Sequence, residues 1–149
     1  MVLQLFKQHV KAKVLMELYS VPPILIISLK RFKALQKIDT PVDFPLEDLD
    51  MSKYLIGPQK EKENMYDLFG VAHHYGGMGG GHYVASCKNY FDGKWYHFND
   101  SSVSNERLED ITASSAYVLF YRKKNIKNQV NLDELYNRKF INYEPEVQK

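Results

Sequence analysis

The sequence contains a single cysteine, Cys87, among its 149 residues. One thiol cannot form an internal disulfide, and it cannot supply a zinc site built from several cysteines. A lone cysteine is also compatible with a reducing compartment. We therefore expect an intracellular protein, located in the cytoplasm or the nucleus.

Long apolar runs and a dominant charge are missing as well. The longest apolar run, residues 24–27, is far shorter than the ~20 residues that a helix needs to cross a bilayer. Residues 1–9 show no cationic stretch followed by an apolar core, as a secretory signal would. The formal net charge is only +2, from 20 basic and 18 acidic residues, so it indicates no polyanionic partner. We expect neither a membrane nor a nucleic acid as partner.

The composition is that of a folded domain. Hydrophobic residues make up 44% and aromatic residues 13%, which argues against a disordered chain, and the length suits one domain with a real core. The 11 tyrosines suit sheets with half-buried side chains. The sequence therefore predicts a globular domain rich in strands.

Five segments have the pattern of strands: residues 24–32, 66–75, 82–89, 94–98 and 116–122. The first is apolar on both faces, which predicts a central strand. In the second, alternation places Tyr66, Leu68, Gly70 and Ala72 on one face, and Asp67, Phe69, Val71 and His73 on the other. Asp92-Gly93 predicts a tight hairpin before the fourth segment.

The other segments predict short helices and connections. Residues 1–19 fit a helix or a strand equally well, and residues 40–55 predict a loop with one helical turn at 46–51. Residues 101–107 predict a turn, residues 109–114 one helical turn, and Asn131 the N-cap of a short terminal helix. The predicted architecture is α+β, a mainly antiparallel sheet with a few short helices.

His82 is the first candidate for chemistry, because a dense group of glycines precedes it: Gly76, Gly77, Gly79, Gly80 and Gly81. Glycines let a backbone approach a ligand closely, which favours a site over a structural histidine. A phosphate cradle is a competing interpretation, but no Lys-Ser or Lys-Thr pair follows the glycines. Zinc is disfavoured, because the adjacent His73 and His74 point to opposite faces of a strand.

A base histidine needs a nucleophile and an orienting partner. Cys87 lies five residues along the same strand, about 16 Å from His82 and on the opposite face, so it is not the nucleophile. Asn99 and Asp100 end the return strand, where an amide or carboxylate oxygen could fix the imidazole. Simple counting from the Asp92-Gly93 turn places His82 opposite Val103 instead, so a bulge or a longer turn must correct the register.

Several motifs resemble those of the ubiquitin-specific proteases, in the same order, from residue 7 to residue 122. They are Leu-Lys-Arg-Phe at 29–32, Val-Asp-Phe-Pro at 42–45, Tyr-Asp-Leu at 66–68, His-Tyr-Gly at 74–76, Gly-Gly-His-Tyr at 80–83, Gly-Lys-Trp-Tyr at 93–96, Phe-Asn-Asp-Ser-Ser-Val at 98–103 and Ala-Tyr-Val-Leu-Phe-Tyr at 116–121. The resemblance implies a papain-like cysteine protease fold and hydrolysis after the C-terminal glycine of ubiquitin. It implies that ubiquitin or its conjugates are the partner, and it implies no cofactor.

The resemblance also implies residue roles. His82 would be the general base, Asn99 its orienting residue, and Asp100 a neighbouring acid that orients groups or supports the oxyanion. The substrate-binding residues would be Tyr75, Gly76, Gly77, Gly79, Gly80, Gly81 and Tyr83, with residues 76–81 forming a mobile loop along the channel for the ubiquitin tail.

The departures from the family are as informative. The cysteine box and the paired zinc-binding cysteines of the fingers have no counterpart here. Residues 1–124 therefore resemble the C-terminal, palm part of the catalytic domain, and residues 125–149 an extension. Two hypotheses follow: the base-bearing part of a deubiquitinase, inactive without a cysteine-bearing N-terminal part, or an inactive ubiquitin-binding scaffold.

Overall fold

The computed structural model describes residues 13–34, 36–60 and 62–128. The terminal helix predicted after Asn131 and residues 1–12 of the ambiguous first segment lie outside these residues. Within the described part of that segment, residues 13–19 form neither a helix nor a strand, and a single bridge joins Leu18 to Leu55.

The described residues form a sheet with short helical turns between its strands. The strands are β1 (Ile24–Ser28), β2 (Phe32–Lys33), β3 (Gln36–Lys37), β4 (Leu49–Asp50), β5 (Met65–Gly77), β6 (Gly80–Lys88), β7 (Trp95–Asn99), β8 (Ser102–Asn105) and β9 (Ala116–Lys123). The helix α1 spans Leu108–Ile111, and 3₁₀ turns span Ser52–Tyr54 and Lys124–Asn128. The main sheet has the order β1-β9-β5-β6-β7-β8 with β4 beside β5, whereas β2 and β3 pair separately. Every strand pair is antiparallel, which confirms the predicted architecture.

The prediction of a central first strand is wrong. β1 ends at Ser28 and lies at the edge of the sheet, and among the described residues only β9 pairs with it. Leu25 and Ile27 pack against the core, whereas Ile24 and Ile26 are 38% and 58% exposed. The apolar run therefore has one face covered by the described residues and one face open.

The predicted faces of β5 hold only for its first half. The register with β9 shifts between Leu68 and Gly70, where Phe69 is left over as a bulge. A bulge adds one residue and reverses the faces beyond it. Val71 therefore joins Tyr66 and Leu68 in the core instead of lying on the opposite face.

Three local predictions have different outcomes. Residues 102–105, predicted as part of a turn, form β8 and pair with β7. The helical turn predicted at 46–51 is wrong, because β4 lies there and the 3₁₀ turn follows it. The helical turn predicted at 109–114 is confirmed as α1, which begins one residue earlier.

The core lies between one face of the sheet and the segments that cross it. Its buried apolar members include Phe44, Leu55, Trp95 and Ile111. Tyr121 is 1% exposed, and its hydroxyl donates a 2.7 Å hydrogen bond to the carbonyl oxygen of Pro45. In the part of the chain that is described, no helix is long and apolar enough to span a membrane.

The burial of Tyr121 leads us to expect that the free energy of unfolding falls at alkaline pH. Burial raises the pKa of Tyr121 to about 12, whereas an unfolded tyrosine titrates near pH ~10. Between these two values the unfolded state ionises first, so the stabilisation present below pH ~10 is lost as the pH rises, by about 2–3 kcal/mol. Tyr121→Phe should be less stable at neutral pH by about 1 kcal/mol, but urea unfolding from pH 9 to 12 should show a shallower decline. A decline as steep as that of the wild type would contradict this prediction.

Candidate active site

The glycine-rich segment is a tight hairpin and not a loop. β5 and β6 pair up to Gly77↔Gly80, so only Met78 and Gly79 form the turn. The predicted loop over residues 76–81 is therefore wrong, because four of its six residues belong to the strands. The hairpin also extends β6 two residues before His82, which thus lies within the strand, directly opposite Tyr75.

Two of these glycines are required by their surroundings. A Cβ at Gly81 would lie 2.2 Å from Nε2 of His74 and 2.5 Å from the carbonyl oxygen of Tyr75. Gly76 has a φ of +105°, and a Cβ there would lie 2.6 Å from the carbonyl oxygen of Gly80. No residue with a side chain fits at either position without a shift of the backbone. The strand that carries His82 therefore depends on glycine at both positions.

The return strand has a register that brings Asn99 close to His82. β6 and β7 pair from Lys88↔Trp95 to Ala85↔Phe98, and a six-residue loop, 89–94, connects them. This loop is longer than the two-residue turn assumed for Asp92-Gly93, although Gly93 still has a φ of +69°. By this register the residue opposite His82 is Ser101, and the position opposite Asn99 is Val84. His82 and Asn99 are therefore diagonal neighbours on one face.

His82 and Asn99 form a direct hydrogen bond. The distance between Nε2 of His82 and Oδ1 of Asn99 is 2.7 Å, and both residues are exposed. An amide oxygen only accepts, so Nε2 of His82 carries the proton and donates it. In the neutral imidazole the lone pair is then on Nδ1. This arrangement can accept a proton at Nδ1 while the ring is held at Nε2.

Asp100 lies beside this pair but is not bonded to it. It occupies the turn between β7 and β8 with a φ of +50°, and Asn99 pairs with Ser102 across that turn. Within residues 13–34, 36–60 and 62–128, its side chain makes no hydrogen bond or ion pair. The turn directs the chain back immediately after Asn99, which fixes where β7 ends.

The two predicted tyrosines lie on opposite faces. Tyr75 is opposite His82 on β5 and is 48% exposed, so it shares the face of the His82–Asn99 pair. Tyr83 follows His82 and faces the other way. Its ring lies 4.7 Å from that of His74 and 6.3 Å from that of Tyr117. The structure thus brings Tyr75 to His82 but separates Tyr83 from it.

Cys87 is remote from the face that carries His82. It lies an odd number of residues along β6, where it pairs with Gly70 and Tyr96. Burial raises the pKa of its thiol, which keeps it protonated at neutral pH. Neither position nor ionisation suits a nucleophile.

Sequence reasoning missed a series of hydrogen-bonded polar side chains next to the site, buried at one end and half-buried at the other. Its members, in order of contact, are Ser115, His73, Ser86, Glu106 and His97. Ser86, four residues after His82 on the same face of the strand, was the available signal, but the assumed register placed Ser86 opposite Asn99 and not His97. In the described ranges no group of three or more His, Cys, Asp or Glu side chains could hold a metal ion.

Known proteins are similar to this chain over the strands that carry the candidate site. The family model "Ubiquitin carboxyl-terminal hydrolase" matches residues 4–121. Ubiquitin carboxyl-terminal hydrolase 15 of Homo sapiens is 50% identical over 79% of this chain and 12% of the relative. Ubiquitin carboxyl-terminal hydrolase 12 of Saccharomyces cerevisiae is 40% identical over 96% of this chain and 12% of its own length. The chain therefore spans about one eighth of these curated relatives.

Solved structures give the same result. A chain of the SAGA DUB module of Ubp8, Sgf11, Sus1 and Sgf73, bound to monoubiquitin, superposes with a TM-score of 0.64 and 36% identity over 71% of this chain and 24% of that one. The module bound to ubiquitin aldehyde gives 0.63 and 36% over 71% of this chain and 25% of that one. Together with the antiparallel sheet, these similarities confirm the predicted fold class.

Proposed function

We propose, because the chain belongs to the ubiquitin carboxyl-terminal hydrolase family, that it carries the general base of a thiol hydrolase that cleaves after the C-terminal glycine of ubiquitin. The observation that carries this proposal is the 2.7 Å bond from Nε2 of His82 to Oδ1 of Asn99. A side chain held in this way presents Nδ1 as the atom that exchanges protons with a thiol. Two solved relatives were captured with monoubiquitin or ubiquitin aldehyde, which supports ubiquitin as the substrate.

The proposed reaction has two halves. Nδ1 of His82 takes the proton of a cysteine thiol, and the thiolate attacks the carbonyl carbon after the last glycine of ubiquitin. The tetrahedral intermediate collapses to a thioester as the imidazolium returns the proton to the leaving amine. A water molecule, deprotonated by His82, then attacks the thioester, and the thiol and the free carboxylate of ubiquitin are released.

Asn99 and Asp100 have supporting roles in this proposal. Asn99 fixes the ring plane and the tautomer of His82, and the dipole of its amide oxygen favours the imidazolium that forms during the reaction. Asp100 projects from the turn beside this pair, where an acid would assist orientation or support the oxyanion. Both roles follow from the family resemblance.

The hairpin supplies the proposed substrate-binding surface. Gly77, Gly79 and Gly80 have open space where a Cβ would lie, so this surface is flat backbone. A flat backbone surface accommodates the narrow end of a polypeptide tail, and the exposed ring of Tyr75 lies on the same face as His82. We place Tyr83 among the substrate-binding residues through its exposed side on the other face, together with Gly76 and Gly81, which hold the hairpin closed.

The nucleophile must come from a cysteine-bearing segment that is not among these residues. In this proposal residues 1–124 are the palm part of the catalytic domain and residues 125–149 are an extension. The chain by itself should therefore be inactive, because Cys87 cannot reach His82.

A ubiquitin whose C-terminus carries a thiol-reactive group tests the proposal. We expect no labelling of the chain alone, and labelling of a cysteine-bearing N-terminal segment of a relative only when the chain is added. Cys87→Ser should leave this labelling unchanged. Labelling of Cys87 in the isolated chain would contradict the site. Binding of ubiquitin with no labelling in the mixture would favour the inactive scaffold.

A further inference from the structure

The carboxylate of Glu106 is hydrogen-bonded to side chains on two strands of the site, β6 and β7. Oε2 of Glu106 accepts a hydrogen bond from Oγ of Ser86 on β6 and another from Nδ1 of His97 on β7, each 2.9 Å long. The side chain of Glu106 is 8% exposed, so these bonds are largely shielded from water. Glu106 follows β8, and its backbone N–H donates to the carbonyl oxygen of Trp95. We call these two bonds the Glu106 bridge.

The bridge continues inward through His73, with a defined direction for every proton. Because a carboxylate only accepts, Ser86 gives its proton to Glu106 and must accept one from Nε2 of His73, at 2.9 Å. Nδ1 of His73 then accepts from the hydroxyl of Ser115, at 3.0 Å. Burial lowers the pKa of His73, although the nearby Glu106 opposes this, so a neutral ring satisfies every contact. Both ring nitrogens of His73 and the hydroxyl of Ser86 therefore have hydrogen-bond partners.

The bridge lies immediately inside the end of the ladder that carries the candidate dyad. The last backbone pair of β6 and β7 is Ala85↔Phe98, and the pair before it, Ser86↔His97, holds the bridge. Beyond that end, the side-chain bond from His82 to Asn99 connects the two strands. His82 and Ser86 lie on one face of β6, and His97 and Asn99 lie on the same face of β7.

The register of β6 and β7 requires a contact such as the Glu106 bridge to determine it. The ladder has only four pairs, and a six-residue loop joins the strands, so the turn does not dictate the register. A slip of one residue would move Asn99 to the other face and remove it from His82. Only the observed register places the donors of Ser86 and His97 on one carboxylate oxygen.

We propose that Glu106 is a positioning residue, which holds Asn99 within hydrogen-bonding distance of His82 by fastening β7 to β6 through Ser86 and His97. This inference rests on the proposed function of the His82–Asn99 pair. Glu106 acts through the strands and touches neither the substrate nor His82. A carboxylate suits this role because charge-assisted hydrogen bonds are roughly twice as strong as neutral ones.

Nuclear magnetic resonance of ¹⁵N-labelled histidine in this chain tests the proposal without any reaction. Asn99→Ala defines the side-chain spectrum of a His82 that has lost its bond. We expect Glu106→Ala to move the His82 spectrum most of the way to that reference, and Glu106→Gln, whose amide oxygen can still accept, to restore it. Glu109→Ala, which removes an exposed acid paired with Arg107, should leave the spectrum unchanged.

A kinetic readout separates positioning from general stability. In the mixture with a cysteine-bearing segment, Glu106→Ala should lower the maximal labelling rate about 10- to 100-fold, while the probe concentration at half-maximal rate stays within about two-fold. Ser86→Ala removes only a hydroxyl from the bridge and serves as the second variant if Glu106→Ala unfolds.

Failure of the positioning role of Glu106 and failure of the proposed function give different results. If the Ser86→Ala spectrum, and that of Glu106→Ala where it folds, stay at the wild-type position of His82 while Asn99→Ala changes it, the positioning role is wrong. If the spectra change as expected but the wild-type mixture shows no labelling, the proposed function is wrong and the positioning of Asn99 by Glu106 is supported.

Discussion

Replacing His82 with alanine is expected to lower the labelling rate of a cysteine-bearing segment by about 100- to 10,000-fold, the usual contribution of a positioned base. No other described histidine can substitute. His73 and His74 are 2% and 4% exposed, and His97 is bonded to Glu106. The measurement is the rate at which the ubiquitin probe labels the mixture, compared between wild type and His82→Ala at saturating probe.

The control for this prediction is folding and binding. The side chain of His82 is exposed and outside the core, so its removal should change the free energy of unfolding by less than about 0.5 kcal/mol. Ubiquitin binding should persist for the same reason. A labelling rate within about three-fold of wild type would show that His82 is not the base, whatever the similarity to the family.

The sequence predicts the strands of the site well because their patterns are local. β6 alternates and β9 is a continuous apolar run, so each is recognisable without its neighbours. The residue types around His82 also carry their own chemistry, since an imidazole followed by an amide in the next strand indicates a base and an acceptor. The family resemblance adds order along the chain, which local patterns do not contain.

Register and bulges are less visible in a sequence. The bulge at Phe69 inserts one residue into an alternating pattern, and the pattern reads equally well with or without it. It decides, however, whether Val71 faces the core and His73 faces Ser86. The length of the loop after β6 is equally hard to predict from the sequence, because Asp92-Gly93 indicates a turn but not the number of residues in it. The six-residue length of this loop gives the register in which Asn99 lies near His82 and Ser86 lies opposite His97.

The edge position of β1 illustrates a different gap. Its apolar pattern predicts that both faces are covered in the folded protein, but it does not identify the segment that would cover each face. Here Ile26 is 58% exposed, whereas Ile27 packs against the core. Among the described residues, the face of β1 that carries Ile26 stays open.

Gly81→Ala is expected to disrupt the hairpin that carries His82, at a cost of about 2 kcal/mol or more. The new methyl group would lie 2.5 Å from the carbonyl oxygen of Tyr75 and 2.2 Å from the ring of His74, which is itself 4% exposed. Neither neighbour is the free end of a flexible side chain, so β5 and β6 must separate. Urea unfolding measures the stability, and amide hydrogen exchange of Tyr75 and Tyr83 reports the opening of the hairpin.

Gly79→Ala is the matched control, because the same methyl group meets no atom within 4 Å at that position. It should leave stability and exchange near the wild-type values, since the turn has room for a side chain. If both variants behave alike, glycine content and not the contact with His74 and Tyr75 governs the hairpin. A destabilisation confined to Gly81→Ala, with faster exchange on both strands and a changed His82 spectrum, would establish that the close approach of β5 to β6 holds the base in place.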